Sequence, residues 1–286
     1  MDAKRWLKAA AAKTVGQWVA ANAANSVAVI CYHSIHPDKS ISSATPDLFE
    51  RHLRWLSENC KVVRFSRILD TFLVAERNRP TVAITFDDGN ADNYEHAFPL
   101  LQKYEMPSTF FLTAGLLERS REVVERFRML RKNSCQDIPP LTWSQVLEMR
   151  RCGMEIGAHT FSHPNLARLD RKDVELELKR SKEIIEQHLG EAVTLMAYPF
   201  GKPGRNFQSE TVEIVAESGY EYAASILCKR VEPGCPRLSV PRFIVLQDSL
   251  DSLSDKIHGA WDLVGLWQEK APLWMARIVS PRDFSV

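Results

Sequence analysis

The sequence predicts a parallel α/β fold, and three observations predict it. Short apolar runs rich in β-branched and aromatic residues recur along the chain. Amphipathic helical patterns fill the intervals between them. Several apolar runs are continuous rather than alternating, as strands covered on both faces should be. Alternation of the two patterns over most of the length suits a parallel sheet with helical crossovers.

The first expected strand is 26–33 (SVAVICYH). A helix is expected over 45–59, where Thr45 offers a cap, Pro46 fits the first turn and Leu48, Leu53 and Leu56 share an apolar side. Strands follow at 61–66 and 81–88 (TVAITFDD), then a helix at 91–104 and a strand at 107–113. Residues 118–140 read as a basic, irregular insertion, either the edge of a cleft or a solvated loop. A helix over 142–153 starts on a capping pattern, Thr142 to Gln145, and stops at Gly153. A strand at 154–159 leads to the clearest helix, 170–190, which has a helical apolar period, a dense charged face and a closing glycine. Strands at 192–200, 220–226 and 241–246 and a helix at 209–219 complete the set.

Ahead of these, residues 3–20 place Trp6, Leu7, Val15 and Trp18 near helical spacing, with Lys4, Arg5, Lys8 and Lys13 among them. The segment reads as an amphipathic helix that packs on the domain or meets a membrane surface or partner. The expected division is an N-terminal helical segment at 1–25, the principal domain at 26–250, and a C-terminal extension packed on it at 251–286.

At 286 residues the chain can bury a substantial core. Lys and Arg number 37 and Asp and Glu 36, and the resulting charge of +1 gives no push toward nucleic acid or an anionic membrane. The cysteines form no CxxC pair, which argues against a structural zinc knuckle. A Cys228–Cys235 disulfide is one reading, and free thiols in a reducing compartment are the simpler one. Lys13 and Gln17 interrupt the apolar N-terminal residues, so no clean signal-peptide core stands there, and no run of 18 apolar residues occurs. A cytoplasmic protein is expected, with peripheral membrane contact through 3–20 left open.

Polar residues collect at the carboxyl ends of the expected strands: His33, Asp87, Asp88, His159 and the segment 198–201. In parallel α/β folds that edge carries the active site. Asp87 and Asp88 repel each other unless a cation or buried donor offsets them. Two solvated acids before Gly89 is the plain alternative. His159 and His163 are four apart, so both imidazoles can reach one centre. With Asp88 they make an open site for a divalent metal, which can polarise a carbonyl and lower the pKa of water, leaving Asp87 as a base. In MAYPFGKPG (196–204), proline and glycine make a tight turn that can leave a backbone N–H for an oxyanion. Tyr198 and Phe200 suit a wall for a sugar ring, or simply the core.

Together these segments resemble the polysaccharide deacetylase family, also called the NodB-homology or carbohydrate esterase family 4 fold. The family's first motif, T-F-D-D-G, stands as Thr85-Phe86-Asp87-Asp88-Gly89. Its second, H-[ST]-x-x-H, stands as His159-Thr160-Phe161-Ser162-His163, and the similarity covers about 26–246. The resemblance implies a distorted or incomplete (β/α) barrel of about seven parallel strands. It implies Asp87 as general base, Thr160 as a tie within its loop, and Asp88, His159 and His163 as ligands of one divalent ion. Zinc is the first expectation, with Co, Ni or Mn as alternatives. The implied reaction is hydrolysis of N-acetyl, less often O-acetyl, groups on sugars.

There are two departures from the family pattern. The third motif, R-x-P-Y, is replaced by Met196-Ala197-Tyr198-Pro199-Phe200, without the arginine that normally orients the base. Arg242, in SVPRFIV, is the candidate substitute. The late catalytic histidine is also absent, and His258 follows no convincing strand. His33 resembles a histidine on the first strand of the family's permuted members, which implies a general acid, with a structural histidine as the alternative. The Y-P-F-G form resembles a branch linked to bacterial exopolysaccharide and surface-glycan synthesis. The implied partner is an N-acetylated oligosaccharide or a lipid-linked or nucleotide-linked glycan, and contact with a membrane or glycan-synthesis complex is left open. A cyclic amide hydrolase and a non-catalytic glycan-binding protein are the rival readings.

Overall fold

The computed structural model describes residues 26–39, 43–73, 79–130 and 138–270. The expected helix over 3–20 and the last part of the 251–286 extension lie outside the described residues. Two strands at the centre of the sheet set its geometry. β1 (Val27–Tyr32) and β3 (Thr81–Phe86) are buried at every position and pair in parallel over their whole length, Val27 with Thr81 through Tyr32 with Phe86. The other edge of β3 is shared. β2 (Lys61–Val63) pairs with its first half, and β4 (Ser108–Leu112) with its second. From β4 the sheet continues through β5 (Glu155–Ala158), β6 (Leu195–Ala197) and β7 (Tyr222–Ala224), all parallel.

The last segment closes the curl. Val240 bridges in parallel to Ala224 of β7, and the two-residue β8 (Phe243–Ile244) pairs with Ile30 and Cys31 of β1. Residues 240–245 therefore bond to the first and last strands of the curled sheet, and the carboxyl ends of the strands share one rim. Among the described residues the sheet has eight strands, seven along its path with β2 beside β3.

Side-chain alternation splits the interior into two layers. Val27 and Val29, Ala83, Phe111, Leu195, Ala197, Tyr222, Ala224 and Val240 meet inside the curl. Ala28, Ile30 and Tyr32, Ile84, Phe86 and Phe110 face the helices outside it. Phe65 and Ile68 join the inner layer from a short helical turn, which is why β2 stops at Val63 rather than at 66.

The helices follow their sequence signals. α1 (Pro46–Asn59) is capped by Thr45, whose Oγ1 accepts from the Leu48 N–H. The expected 91–104 helix begins as a wide, π-type turn over Asn93–Ala97 before α2 (Phe98–Lys103). Pro99 supplies no N–H there. α3 (Ala114–Leu117) and α4 (Arg121–Leu130) follow β4. α4 corrects the reading of 118–140 as irregular over 121–130, and 131–137 lie outside the described residues; Val123 and Phe127, one turn apart, bury its inner face. α5 (Trp143–Arg151) has the expected Thr142–Gln145 capping box. α6 (Arg171–Leu189) runs from an Asp170 cap to Gly190, at φ 70°. α7 (Ser209–Glu217), α8 (Leu250–Ile257) and α9 (Asp262–Lys270) complete the set. The strands at 192–200 and 241–246 are shorter than expected, because Pro199 and Pro241 interrupt the ladder. Cys228 and Cys235 are free thiols. Among the described helices none is long and apolar enough to cross a membrane.

His52, on α1, carries a testable pH dependence. Its Nε2 lies 2.9 Å from the Asp248 carbonyl, which can only accept, so Nδ1 accepts from the Tyr32 hydroxyl at 2.9 Å. Burial lowers its pKa below the ordinary 6.5, and the Asp248 carbonyl offsets only part of this. The unfolded chain therefore takes up this proton more readily than the folded one. His52 supports the fold fully above about pH 6.5, and that support is lost as pH falls below it. Urea midpoints of wild type and His52→Gln should diverge less at pH 5 than at pH 7; equal divergence at both would refute this.

Candidate active site

Asp87 follows β3 on the face of Ala83 and Thr85, so it continues the inner layer up to the rim. Its N–H donates to Tyr32 O at 3.0 Å. Both carboxylate oxygens accept from Arg242, Oδ1 from Nη1 and Oδ2 from Nη2, each at 2.7 Å. Arg242 is fully buried, gives a second Nη1 bond to Thr85 Oγ1 at 3.1 Å, and points Nε at Ser225 O at 3.3 Å. It arrives here because its segment is strung between β7 and β1. Burial alone would raise the Asp87 pKa, but Arg242 and then His159 outweigh it and hold the carboxyl well below the usual carboxylate range.

Asp88 leaves the strand at φ 77°, followed by Gly89 at φ 86°. This turn takes its carboxylate off the Asp87 face. His159 Nε2 and His163 Nε2 stand 3.8 and 3.7 Å from Asp88 Oδ1. Such separations are too long for hydrogen bonds and suit a shared ion that takes N and O ligands at about 2 Å. His159 Nδ1 is 2.8 Å from Ala197 O, which puts the hydrogen on Nδ1 and leaves the Nε2 lone pair toward Asp88. Burial pushes the His163 imidazole down to about pKa 3, with His159 adding to the shift, so it is neutral, the form that ligates metals. His163 Nδ1 is buried with no hydrogen-bond partner among the described residues. The three side chains thus fit one divalent cation.

The loop that carries the histidines is strained. Thr160 and His163 lie at φ 64° and 56°, and left-handed backbone at non-glycine residues costs about 1–3 kcal/mol each. Bonds to neighbours hold it there. Thr160 Oγ1 accepts from the His163 N–H at 3.0 Å, and Ala114 N and Gly115 N donate to Thr160 O and Phe161 O. Gly115 is required for that approach, since a Cβ would lie 2.6 Å from Phe161 O.

His33 sits just past β1. A ring nitrogen of His33, Cys31 Sγ and an Asp87 oxygen all lie within 4.8 Å of one another. Its turn is pinned by Asn90 and Asn93, whose side-chain amides both donate to His33 O at 2.9 and 3.0 Å. The ring of Phe200, at φ 60°, lies 4.8 Å from the His163 ring and forms a wall of the site.

Tyr198 does not join them, and the reading of it as a sugar-stacking wall is corrected. It is buried, stacked on Phe207 at 3.7 Å, with its hydroxyl donating to Leu238 O. It follows β6 directly and still packs in the layer under the helices. His258 is also remote from the site: it ends α8 and bonds within it to Ser254. Sequence reasoning missed Phe127, whose ring is 5.3 Å from that of His163, and the asparagines under His33. The i, i+4 apolar pair Val123 and Phe127 was the available signal for the first. Nothing local marks the asparagines.

The polysaccharide deacetylase family profile matches residues 75–223, just over half of the chain. The chain belongs to the polysaccharide deacetylase family. It is an enzyme of that class, a carbohydrate deacetylase with the NodB-type curled barrel. This deacetylase is 26% identical to the Bacillus subtilis protein YxkH over 219 residues, covering 76% of this chain and 68% of that one. It is 23% identical to the poly-β-1,6-N-acetyl-D-glucosamine N-deacetylase of Staphylococcus aureus strain MRSA252 over 227 residues, 76% of this chain and 72% of the other. Among solved structures, it superposes on the Streptococcus pyogenes deacetylase PplD, in complex with acetate, with a TM-score of 0.66 and 26% identity, over 81% of this chain and 98% of that one. It shares its fold with IcaB from Ammonifex degensii at a TM-score of 0.62 and 22% identity, over 86% and 97% of the two chains.

Proposed function

We propose that this deacetylase hydrolyses the carbon–nitrogen bond of an N-acetyl group on a sugar unit of a bacterial surface glycan or its precursor, releasing acetate and a free amine. One observation carries the reading: a carboxylate clamped by a buried arginine stands beside an Asp–His–His donor set on one strand-end rim. The staphylococcal relative's name supports N-acetylglucosamine as the sugar.

Asp88, His159 and His163 would hold one divalent ion, zinc first, which when bound supplies Lewis acidity toward a carbonyl and a water of lowered pKa. Asp87 accepts the proton of the attacking water. Its low pKa keeps it ionised, and the paired Arg242 bonds fix both oxygens while leaving each a lone pair. Arg242 stays protonated and acts by positioning. His33, within reach of Asp87, gives its proton to the leaving nitrogen. A backbone N–H of the tight turn at Phe200 would stabilise the developing oxyanion, and the Phe200 ring packs beside His163.

Stripping the protein with a strong chelator should abolish acetate release from N-acetylglucosamine oligomers, and zinc or cobalt should restore it. Unchanged turnover after verified metal removal would sink the reading. Parallel assays on acetylated xylan and on cyclic amides separate the O-acetyl and heterocycle alternatives.

A further inference from the structure

Glu177, well inside α6, reaches the histidine loop from behind. Its Oε2 accepts from two successive backbone N–H groups, Phe161 at 3.0 Å and Ser162 at 2.8 Å, and its Oε1 accepts from the Ser162 hydroxyl at 2.6 Å. Consecutive N–H groups converging on one oxygen form an anion-binding nest, and here the anion is a side chain of the same protein. The nest lies between Thr160 and His163, the two left-handed residues of the loop. From the other side, Arg126 Nη1 donates to Ser162 O and Oγ at 3.3 and 3.1 Å, and the Arg180 guanidinium covers the Phe161 ring at 3.5 Å.

We propose that Glu177 is a positioning residue for the metal centre, acting through the 161–162 backbone to set where the His163 imidazole stands. The proposal rests on the metal-dependent reading above. The two histidines are anchored differently. His159 follows β5, with its N–H on Leu112 O and its Nδ1 on Ala197 O. His163 Nδ1 has no such anchor among the described residues, so its position depends on the loop backbone. Loss of the Glu177 carboxylate therefore loosens one ligand of three. Glu175, two residues earlier, spends its carboxylate on Arg171 at the surface and serves as the control.

The test is metal affinity, read by competition with a chromophoric chelator, on wild type, Glu177→Ala, Glu177→Gln and Glu175→Gln. Zinc and cobalt affinity should fall about 10–100-fold in Glu177→Ala, the range typical of lost outer-shell partners. Glu177→Gln keeps a carbonyl for the two N–H groups and should recover most of it, while Glu175→Gln should match wild type. The visible spectrum of bound cobalt should change in Glu177→Ala, and the Phe161 and Ser162 amides of the metal-free variant should exchange hydrogen faster. Wild-type affinity and cobalt spectrum in Glu177→Ala would overturn the proposal. So would an affinity loss shared equally by Glu177→Gln and matched by a fall in metal-free melting temperature. Failure of wild type itself to bind either ion would instead strike the metal reading, and the proposal with it.

Discussion

Asp87→Asn should lower acetate release by about 10²–10⁴-fold, the range for loss of a general base, while zinc affinity stays within a few-fold of wild type. Asparagine fills the same volume and can still meet Arg242, but its amide cannot take a proton. Asp88, His159 and His163 converge on one point, whereas Asp87 groups instead with Cys31 and His33. Asp87 Oδ2 is 3.9 Å from His159 Nε2, and the paired bonds from Arg242 hold both of its oxygens in place. The loss should therefore fall on kcat, with KM and the spectrum of bound cobalt little changed. Equilibrium metal binding on the purified variant checks this directly. A variant that loses metal as completely as Asp88→Asn would make Asp87 a ligand and remove it as the base.

The distinct surroundings of the two aspartates also show how far the sequence could be read. The strand over 81–88 and the repulsion between its two terminal carboxylates were legible in TVAITFDDG. What separates the carboxylates in space is the left-handed backbone at Asp88, and no local pattern announces a non-glycine residue there. His159 and His163 were legible from spacing, because a four-residue interval needs only one compact loop. Their supports were not: Glu177 lies 14 residues beyond His163 in a helix dense with other carboxylates, and only the packing of α6 against the loop selects it. Tyr198 failed for a related reason. An aromatic next to a Pro–Phe–Gly turn reads equally as wall or core, and its stacking on Phe207 decides the matter. The strands flanking the Asp87 motif were read nearly to the residue, whereas β6 and β8 were overestimated, since apolar composition runs beyond the short ladders that Pro199 follows and Pro241 precedes.

Arg242→Met should cost about 3–5 kcal/mol of unfolding free energy near neutral pH, because it leaves a buried carboxylate without its cation. The effect belongs to charge rather than volume, and a double variant separates the two. In Asp87→Asn/Arg242→Met both charges are gone, so much of the deficit should return, and the coupling between the two substitutions should be well outside additivity. The pH dependence adds a second check. In wild type the folded pKa of Asp87 lies below its unfolded value, so the pair's contribution is complete above about pH 4 and is lost as pH falls further. In Arg242→Met burial acts on Asp87 without the guanidinium, its pKa rises, and the carboxyl takes up a proton in the folded state. The stability gap between the two proteins should therefore narrow as pH falls from 7 toward 4. Arg242→Lys should recover part of the stability but not the rate, since an ammonium supplies charge without the two parallel bonds that fix both carboxylate oxygens. Urea unfolding across that pH range, paired with acetate release, measures both. Equal destabilisation of Arg242→Met and the double variant would mean that Arg242 acts by filling space, and the arginine missing two residues before Pro199 would then have no electrostatic substitute just ahead of β8.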